Sequence, residues 1–451
     1  MYVDTKKRIS PLLYPSTTKF QDNIRKRRYP MSDSTKVLLN IEDKNVFIDE
    51  VVRDDQAMQV KAHLTYVPKA CSECGVLNQH SIIKYGWRTV HVRLPKTGEW
   101  AVVMHLRKQY YECHACRGHF LAHTSIVKRN CSISYNTHQA CLSKLNESVS
   151  MKHIAQELNT SPNFVSRVLN RFSSDFKTDY HHLPAALHID EIKSTKDAQG
   201  SMSCVLMDGD HQLLRDILDV RTLPALTRYF KRYDLEVRNQ VRFLVTDMNY
   251  TYPQLTEEIF PNAIVIIDRF HIINAIQRGL NKTRIEVMKQ FATSSREYKA
   301  LKKYWKLLLK PAAKLDYKNF HRFSQFKYFT TEVDVIDNLL SLSPELTQVY
   351  AYAQRLCGAV RTHDVEELRN ALADSVGAPE TFETCLTYIR EHPDYIENTL
   401  RHKDYSNGPL EGTNNRIKVL KRSGYGYTRF KNFRLRVLVM LRTKTKHPII
   451  K

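Results

Sequence analysis

Two cysteine pairs constrain the fold of this chain more than any other feature. Cys71-Ser-Glu-Cys74 and Cys113-His-Ala-Cys116 are separated by 38 residues. A C-x-x-C turn aims two thiolates at one point, and Zn²⁺ prefers four such ligands in a tetrahedron. The chain between the pairs must therefore fold back on itself. It carries β-prone segments over 87–93 and 100–106, so residues 45–130 are expected to form a zinc ribbon around one structural Zn²⁺. Glycine closes each knuckle, as Cys74-Gly75 and Cys116-Arg117-Gly118, and supplies turn freedom. Four thiolates leave the ion no open position, which excludes a catalytic zinc. His114 and His119 are weaker substitutes in the same ligand sphere. Cys131, Cys141, Cys204, Cys357 and Cys385 lack such spacing and are expected in cores.

Charge selects the partner. With 69 Lys and Arg against 47 Asp and Glu, the formal net charge is +22 and the pI near 9.5. Such a surface seeks a polyanion. No apolar run reaches the roughly 18 residues of a membrane helix, so nucleic acid is expected rather than membrane. Met1-Tyr-Val-Asp-Thr-Lys-Lys-Arg8 lacks a signal-peptide core, and nine cysteines, an odd count, do not suit a secreted disulfide framework. A reducing, cytoplasmic compartment is expected. Arg88, Arg93, Arg107 and Lys108 around the ribbon suit phosphate contacts.

At 451 residues the chain exceeds one ordinary core, and its 42% hydrophobic content supports packed domains. Residues 1–44 read as an aperiodic basic arm that includes Arg25-Lys-Arg-Arg28. The ribbon follows over 45–130, then a helical segment over 135–180 and an α/β alternation over 184–281. Residues 282–400 repeat Leu, Tyr, Phe, Lys and Arg at helical spacing and are too long for a loop, so an all-helical insertion is expected. Its first part, to Lys327, is strongly basic. Residues 401–451 close the chain.

The 135–180 segment reads as a helix-turn-helix. Ile154, Ala155 and Leu158 form one apolar face. Ser161 caps a second helix with Pro162 in its first turn. Val165, Val168 and Leu169 face inward, leaving Asn163, Ser166, Arg167 and Asn170 outward to reach base edges or phosphates.

Three acids stand out in the remainder. Asp190 sits inside the apolar run Ala185-Ala-Leu-His-Ile-Asp190-Glu-Ile. Two further strands, over 201–207 and 213–220, make an antiparallel meander with it. After a helix over 223–233, Val241-Arg-Phe-Leu-Val-Thr-Asp247 supplies a fourth strand and 263–268 a fifth. This is the order of an RNase H-like sheet, in which the ends of the first and fourth strands are neighbours, so Asp190 and Asp247 converge although 57 residues apart. Glu411 heads a helix in a tail where residues 412–451 hold twelve Lys and Arg and no acid. A carboxylate there suits a metal beside a polyanion. Two Mg²⁺ held by Asp190, Asp247 and Glu411 would serve phosphoryl transfer. Glu191 points to the opposite strand face and is left out. Asp268-Arg-Phe-His271 has two readings: His271 caps the helix over 272–280, or Asp268 and His271 handle DNA beside the cleaved phosphate.

Together these motifs resemble the ISL-three family of bacterial insertion-sequence transposases, the DDE type with an N-terminal zinc ribbon. The resemblance rests on Cys71/Cys74 with Cys113/Cys116, His188-Ile-Asp190-Glu, Thr246-Asp247-Met, Phe260-Pro-Asn-Ala, Asp268-Arg-Phe-His271 and Ser406-Asn-Gly-Pro-Leu-Glu411-Gly-Thr-Asn-Asn-Arg-Ile-Lys. The tail Gly424-Tyr-Gly-Tyr-Thr-Arg-Phe-Lys-Asn-Phe-Arg is similar too. It implies a multidomain α/β protein whose RNase H-like core is interrupted by a helical insertion before the glutamate. It implies DNA cleavage and strand transfer dependent on Mg²⁺ or Mn²⁺, with the ribbon and helix-turn-helix on the terminal inverted repeats. The partners implied are double-stranded DNA, element ends and target alike, and a second copy of the chain, in a nucleoid-associated bacterial setting. Asn414, Arg416, Lys418, Arg434 and Arg436 in the basic tail are expected DNA contacts. An RNase H-like nuclease such as a junction resolvase would not need two further DNA-binding modules. A DNA-binding regulator derived from a transposase would carry a damaged triad, and here all three acids stand.

Overall fold

The computed structural model describes residues 33–171, 173, 176, 178–424 and 427–442. Among them two compact units separate, one of residues 33–144 with 151–168, the other of 145–150 with 169–442.

The first unit is built on β1 (Val46–Arg53), β2 (Ala57–Leu64), β3 (Ile82–Thr97), β4 (Trp100–Cys113) and β5 (His119–Leu121). Their order is β1-β2-β4-β3, with β5 on β4; β2 and β4 are parallel and the other pairs antiparallel. Strand alternation chooses the inner face, where Val60, Ala62 and Leu64 of β2 meet Val92 and Leu94 of β3 and Val102, Met104 and Leu106 of β4. The expected arm does not extend to residue 44. After the helix Asp33–Leu38, Leu39 and Ile41 are buried in this same core, and Asp43 accepts from the Thr124 hydroxyl. Arg25-Lys-Arg-Arg28 lie outside the described residues.

Helices Tyr135–Lys144, Met151–Glu157 and Pro162–Arg171 follow. Ile154, Ala155, Leu158, Val165, Val168 and Leu169 are buried, and the Ser161 hydroxyl accepts from Phe164 N–H at 3.3 Å. Asn159, at φ 53°, makes the turn. Phe164, which the sequence did not place among the inward residues, is buried as well, with its ring 4.7 Å from His138.

The second unit centres on β6 (Ala186–Lys193), β7 (Met202–Asp208), β8 (Leu213–Leu218), β9 (Phe243–Thr246) and β10 (Ile264–Ile267), in the order β10-β9-β6-β7-β8. β6 to β8 form an antiparallel meander, while β6, β9 and β10 run parallel. His188 of β6 stands opposite Val245 of β9, so the first and fourth strands of this unit are neighbours. One sheet face buries Leu187 and Ile189 against Phe230, Leu255 and Phe260. The other buries Ile192, Val205 and Met207 against Leu410, Ile417, Phe433 and Val437, from helices Gly408–Ser423 and Phe430–Arg442.

Between β10 and Gly408 stand the helices of the insertion. Its expected start at 282 falls inside the 21-residue helix Arg269–Lys289, because Ile272, Ile276, Leu280, Thr283 and Val287 continue one buried stripe through that point. Nor is the insertion wholly helical. Helix Trp305–Leu308 stops short of Pro311, a 3₁₀ turn over Ala312–Lys314 follows, and β11 (His321–Arg322) pairs with β12 (Phe329–Thr330) in a short hairpin. Among the described residues no helix is long and apolar enough to cross a membrane.

Candidate active site and metal centre

The sulfurs of Cys71, Cys74, Cys113 and Cys116 all lie within 4.8 Å of one another, with 3.8 Å from Cys71 to Cys116 and 3.9 Å from Cys74 to Cys113. Zn–S bonds of about 2.3 Å in a tetrahedron put sulfurs roughly 3.8 Å apart, so the tetrad fits the ion. Backbone N–H groups of Glu73 and Gly118 donate to the Cys71 and Cys116 sulfurs at 3.4 and 3.3 Å, which favours thiolates. The knuckles turn differently. Gly75 takes φ 75°, but in the second knuckle Arg117 adopts the left-handed conformation at 53°. Gly118 is needed for space, since a Cβ there would stand 3.0 Å from the Cys116 sulfur. His114 and His119 stay outside the tetrad, and His119 stacks on Tyr110 instead. Cys141, Cys204 and Cys357 are buried and Cys385 half-buried, whereas Cys131 is exposed, contrary to a core role.

The acids gather on the second sheet. β6 alternation puts His188 and Asp190 on the face of helix Gly408–Ser423 and Glu191 on the other. Asn407 Oδ1 accepts from His188 Nδ1 at 3.0 Å, and Asn414 Nδ2 donates to Asp190 Oδ2 at 2.7 Å. Burial holds the His188 imidazole below its usual range. Gly209 gives it room, since a Cβ there would stand 2.3 Å from Nε2. Asn407, Glu411 and Asn414 are spaced i, i+4, i+7, one stripe of one helix. Glu411 therefore lies between two side chains pinned to β6, and is itself exposed.

Asp247 follows the end of β9. Burial first, and then the charges of Glu191 and Asp190, push its carboxyl up to about 6. Its Oδ1 is buried without a hydrogen-bond partner. Burial also raises Asp190, against the Glu191 N–H, His271 and Asn414, which draw it down. His271, half-buried on the first turn of Arg269–Lys289, lowers both aspartates through its charge. A buried carboxylate oxygen lacking a partner, beside two more carboxylates, fits a divalent cation. Among the described residues the three carboxylates Asp190, Asp247 and Glu411 are not drawn within 4.8 Å of one another.

Glu191 does face away from Asp190, yet it belongs to this centre. Its Oε1 accepts from Asn249 Nδ2 and Tyr252 O–H, each at 2.9 Å, and its Oε2 from Arg221. These bonds tie the segment after Asp247 to β6. No local pattern pointed to Arg221, Asn249 or Tyr252; the i, i+4, i+7 spacing around Glu411 could have pointed to Asn407.

Four expected DNA contacts have other duties. Asp268, rather than His271, caps the Arg269–Lys289 helix, and its buried side chain accepts from Phe270 N–H. Asn414 is buried on Asp190. Arg434 makes a two-pronged pair with Asp216, at 2.6 and 2.9 Å. Arg436 is fully buried and donates to the carbonyls of Glu147 and Val149, so it cannot meet a phosphate. Asn163, Arg167, Asn170, Arg416 and Lys418 are exposed and Ser166 half-exposed, as DNA contact requires. Arg88 and Lys108 stand opposite each other across β3 and β4, while Arg107 covers the ring of Trp87.

The model of the ISL-three DDE family, described as "Transposase", matches residues 187–437, a stretch containing Asp190, Asp247 and Glu411. A 109-residue stretch is 40% identical to a protein of Lactococcus lactis subsp. lactis described as "ATP-dependent protease", covering 24% of this chain and 35% of that protein. The chain thus spans about a third of the length of that curated relative.

Proposed function

Since the chain belongs to the ISL-three family of DDE transposases, we propose that it is a DNA transposase that cuts and joins DNA at the ends of an insertion sequence. In this reading the second unit is an RNase H-like core with its insertion, and the zinc ribbon and helix-turn-helix bind terminal inverted repeats. Two copies bring two ends together in the bacterial cytoplasm. The observation that carries the reading is the acid centre, where the buried Asp247 Oδ1 lacks a partner beside Asp190.

Asp190, Asp247 and Glu411 would hold two Mg²⁺, or Mn²⁺. Such ions would supply charge to activate the attacking hydroxyl and to stabilise the oxygen leaving phosphorus. Asn414 orients Asp190 through one carboxylate oxygen. Glu191, with Arg221, Asn249 and Tyr252, fixes the segment that carries Asp247. Exposed Arg167 and Asn163 reach base edges, and Arg416 and Lys418 reach phosphates near the acids.

Incubating the full chain with a labelled element end and Mg²⁺ tests this. Cleavage should vanish in Asp190→Asn and in Glu411→Gln while end binding persists, because each loses a metal ligand and no DNA contact. Near-wild-type cleavage by either variant removes that residue from the site. Specific end binding with no cleavage by the wild type would favour a regulator.

A further inference from the structure

The insertion carries a surface that neither the acids nor the zinc unit uses. Tyr317, Phe320, Tyr328 and Phe329 are 68, 64, 80 and 64% exposed. One exposed ring is ordinary, but four in so short a stretch call for a partner.

The stretch is also held in place. The Asp316 carboxylate accepts from the backbone N–H of Lys318 and Asn319 and from the Asn319 amide. Asp316 N–H donates to Glu332, which also pairs with Lys310. Phe323 and Phe326 turn inward, 5.4 and 5.9 Å from the Tyr304 ring. Arg296 donates to the Gln325 carbonyl and Lys303 to the Ser324 hydroxyl, both at 2.6 Å. The inner side of the β11–β12 hairpin is thus anchored, and the outer rings are presented with little entropy left to lose on binding.

Charge identifies the partner. From Arg296 to Tyr328 there are ten Lys and Arg and only two acids, Glu297 and Asp316. Among the described residues Lys314, Lys318, Arg322 and Lys327 have no carboxylate partner. Arg322 stands opposite Phe329 across the hairpin, and the Lys318 ammonium lies 5.3 Å from the Tyr317 ring. Rings interleaved with unpaired cations match a nucleic-acid strand, whose bases stack while its phosphates pair. A closed duplex hides its base faces, so the rings require bases that have left the stack. A second copy of the chain is a poorer occupant, because a two-fold contact would set this cationic face against itself.

We propose that the 315–331 hairpin of the insertion is a stacking site for unpaired DNA bases, which rests on the transposase reading and adds the state of the DNA it handles. The full chain is titrated by fluorescence anisotropy with a labelled single strand and a labelled duplex of the element's end. Tyr328→Ala and Phe329→Ala should each weaken single-strand binding roughly fivefold or more, the size of one lost base stack. Duplex binding should stay unchanged, and Tyr328→Phe and Phe329→Trp should bind the single strand as the wild type does. Equal weakening on both DNAs, or unchanged single-strand affinity, overturns the proposal. A shift from dimer to monomer in sedimentation velocity, with single-strand affinity intact, assigns the face to a second copy and overturns it too. A wild type that binds duplex alone defeats only this proposal; one that binds no DNA defeats the transposase reading with it.

Discussion

Asp247→Asn should strengthen the metal-free fold while destroying the site it belongs to. The folded protein raises this carboxyl from an ordinary 3.8 to about 6, through burial and the charges of Glu191 and Asp190. That difference corresponds to about 3 kcal/mol of destabilisation once the group is ionised in the fold. The sign follows from proton uptake. Between the two values the folded state binds more protons than the unfolded chain, so stability is full below 3.8 and falls as pH rises through about 6. An asparagine carries no charge and removes this loss, although its amide still leaves one buried polar atom short of a partner, which trims the gain to roughly 1–3 kcal/mol. Urea denaturation followed by circular dichroism in a chelator would read it. The variant should show the higher midpoint near pH 7.5, and the advantage should shrink as pH falls through about 6 and disappear below about 3.8. Adding Mg²⁺ should then stabilise the wild type by mass action and leave the variant unmoved. A variant less stable across this pH range, or one that gains as much from Mg²⁺ as the wild type, would refute the assignment of Asp247 to a cation site.

Three further outcomes are expected. Cys71→Ser should release zinc, measured by elemental analysis, and weaken end binding, because assembly of the tetrad contributes to folding of its module; full zinc retention would contradict the tetrad. Arg167→Ala should narrow the preference for the terminal repeat over random DNA by about 1–3 kcal/mol, whereas Lys418→Ala should weaken both DNAs alike and lower the salt slope by about one; titrations at several salt concentrations separate the two. Arg434→Ala should cost roughly 3 kcal/mol of stability, since it leaves the buried Asp216 without its cation, with only neutral donors, Thr178, Tyr229 and the Ile217 N–H, remaining; an unchanged unfolding midpoint with weaker DNA binding would restore Arg434 to the DNA surface.

Much of this protein was legible without coordinates, and the legible part is local. The cysteine spacing sets the tetrad, because two tight turns can satisfy one tetrahedral ion in few ways. Alternating and helical apolar patterns place β6 to β10 in sequence and the inward faces of the helices after Ser150, because burial follows the backbone period. Asp190 and Asp247 could be paired from strand order alone. Tertiary packing decided what local pattern cannot carry. Arg434 and Arg436 lie in a run without acids, and read there they look free for phosphate. The Phe430–Arg442 helix packs on the core, and Arg434 meets Asp216 from 218 residues away while Arg436 is enclosed. Glu191 points away from Asp190 as the pleat requires, yet its charge bears on Asp247 because β9 lies beside β6. Periodicity fixes which side of an element is buried, but a charge acquires its partner only when distant elements meet, and at this acid centre that meeting determines which groups are left to hold a metal.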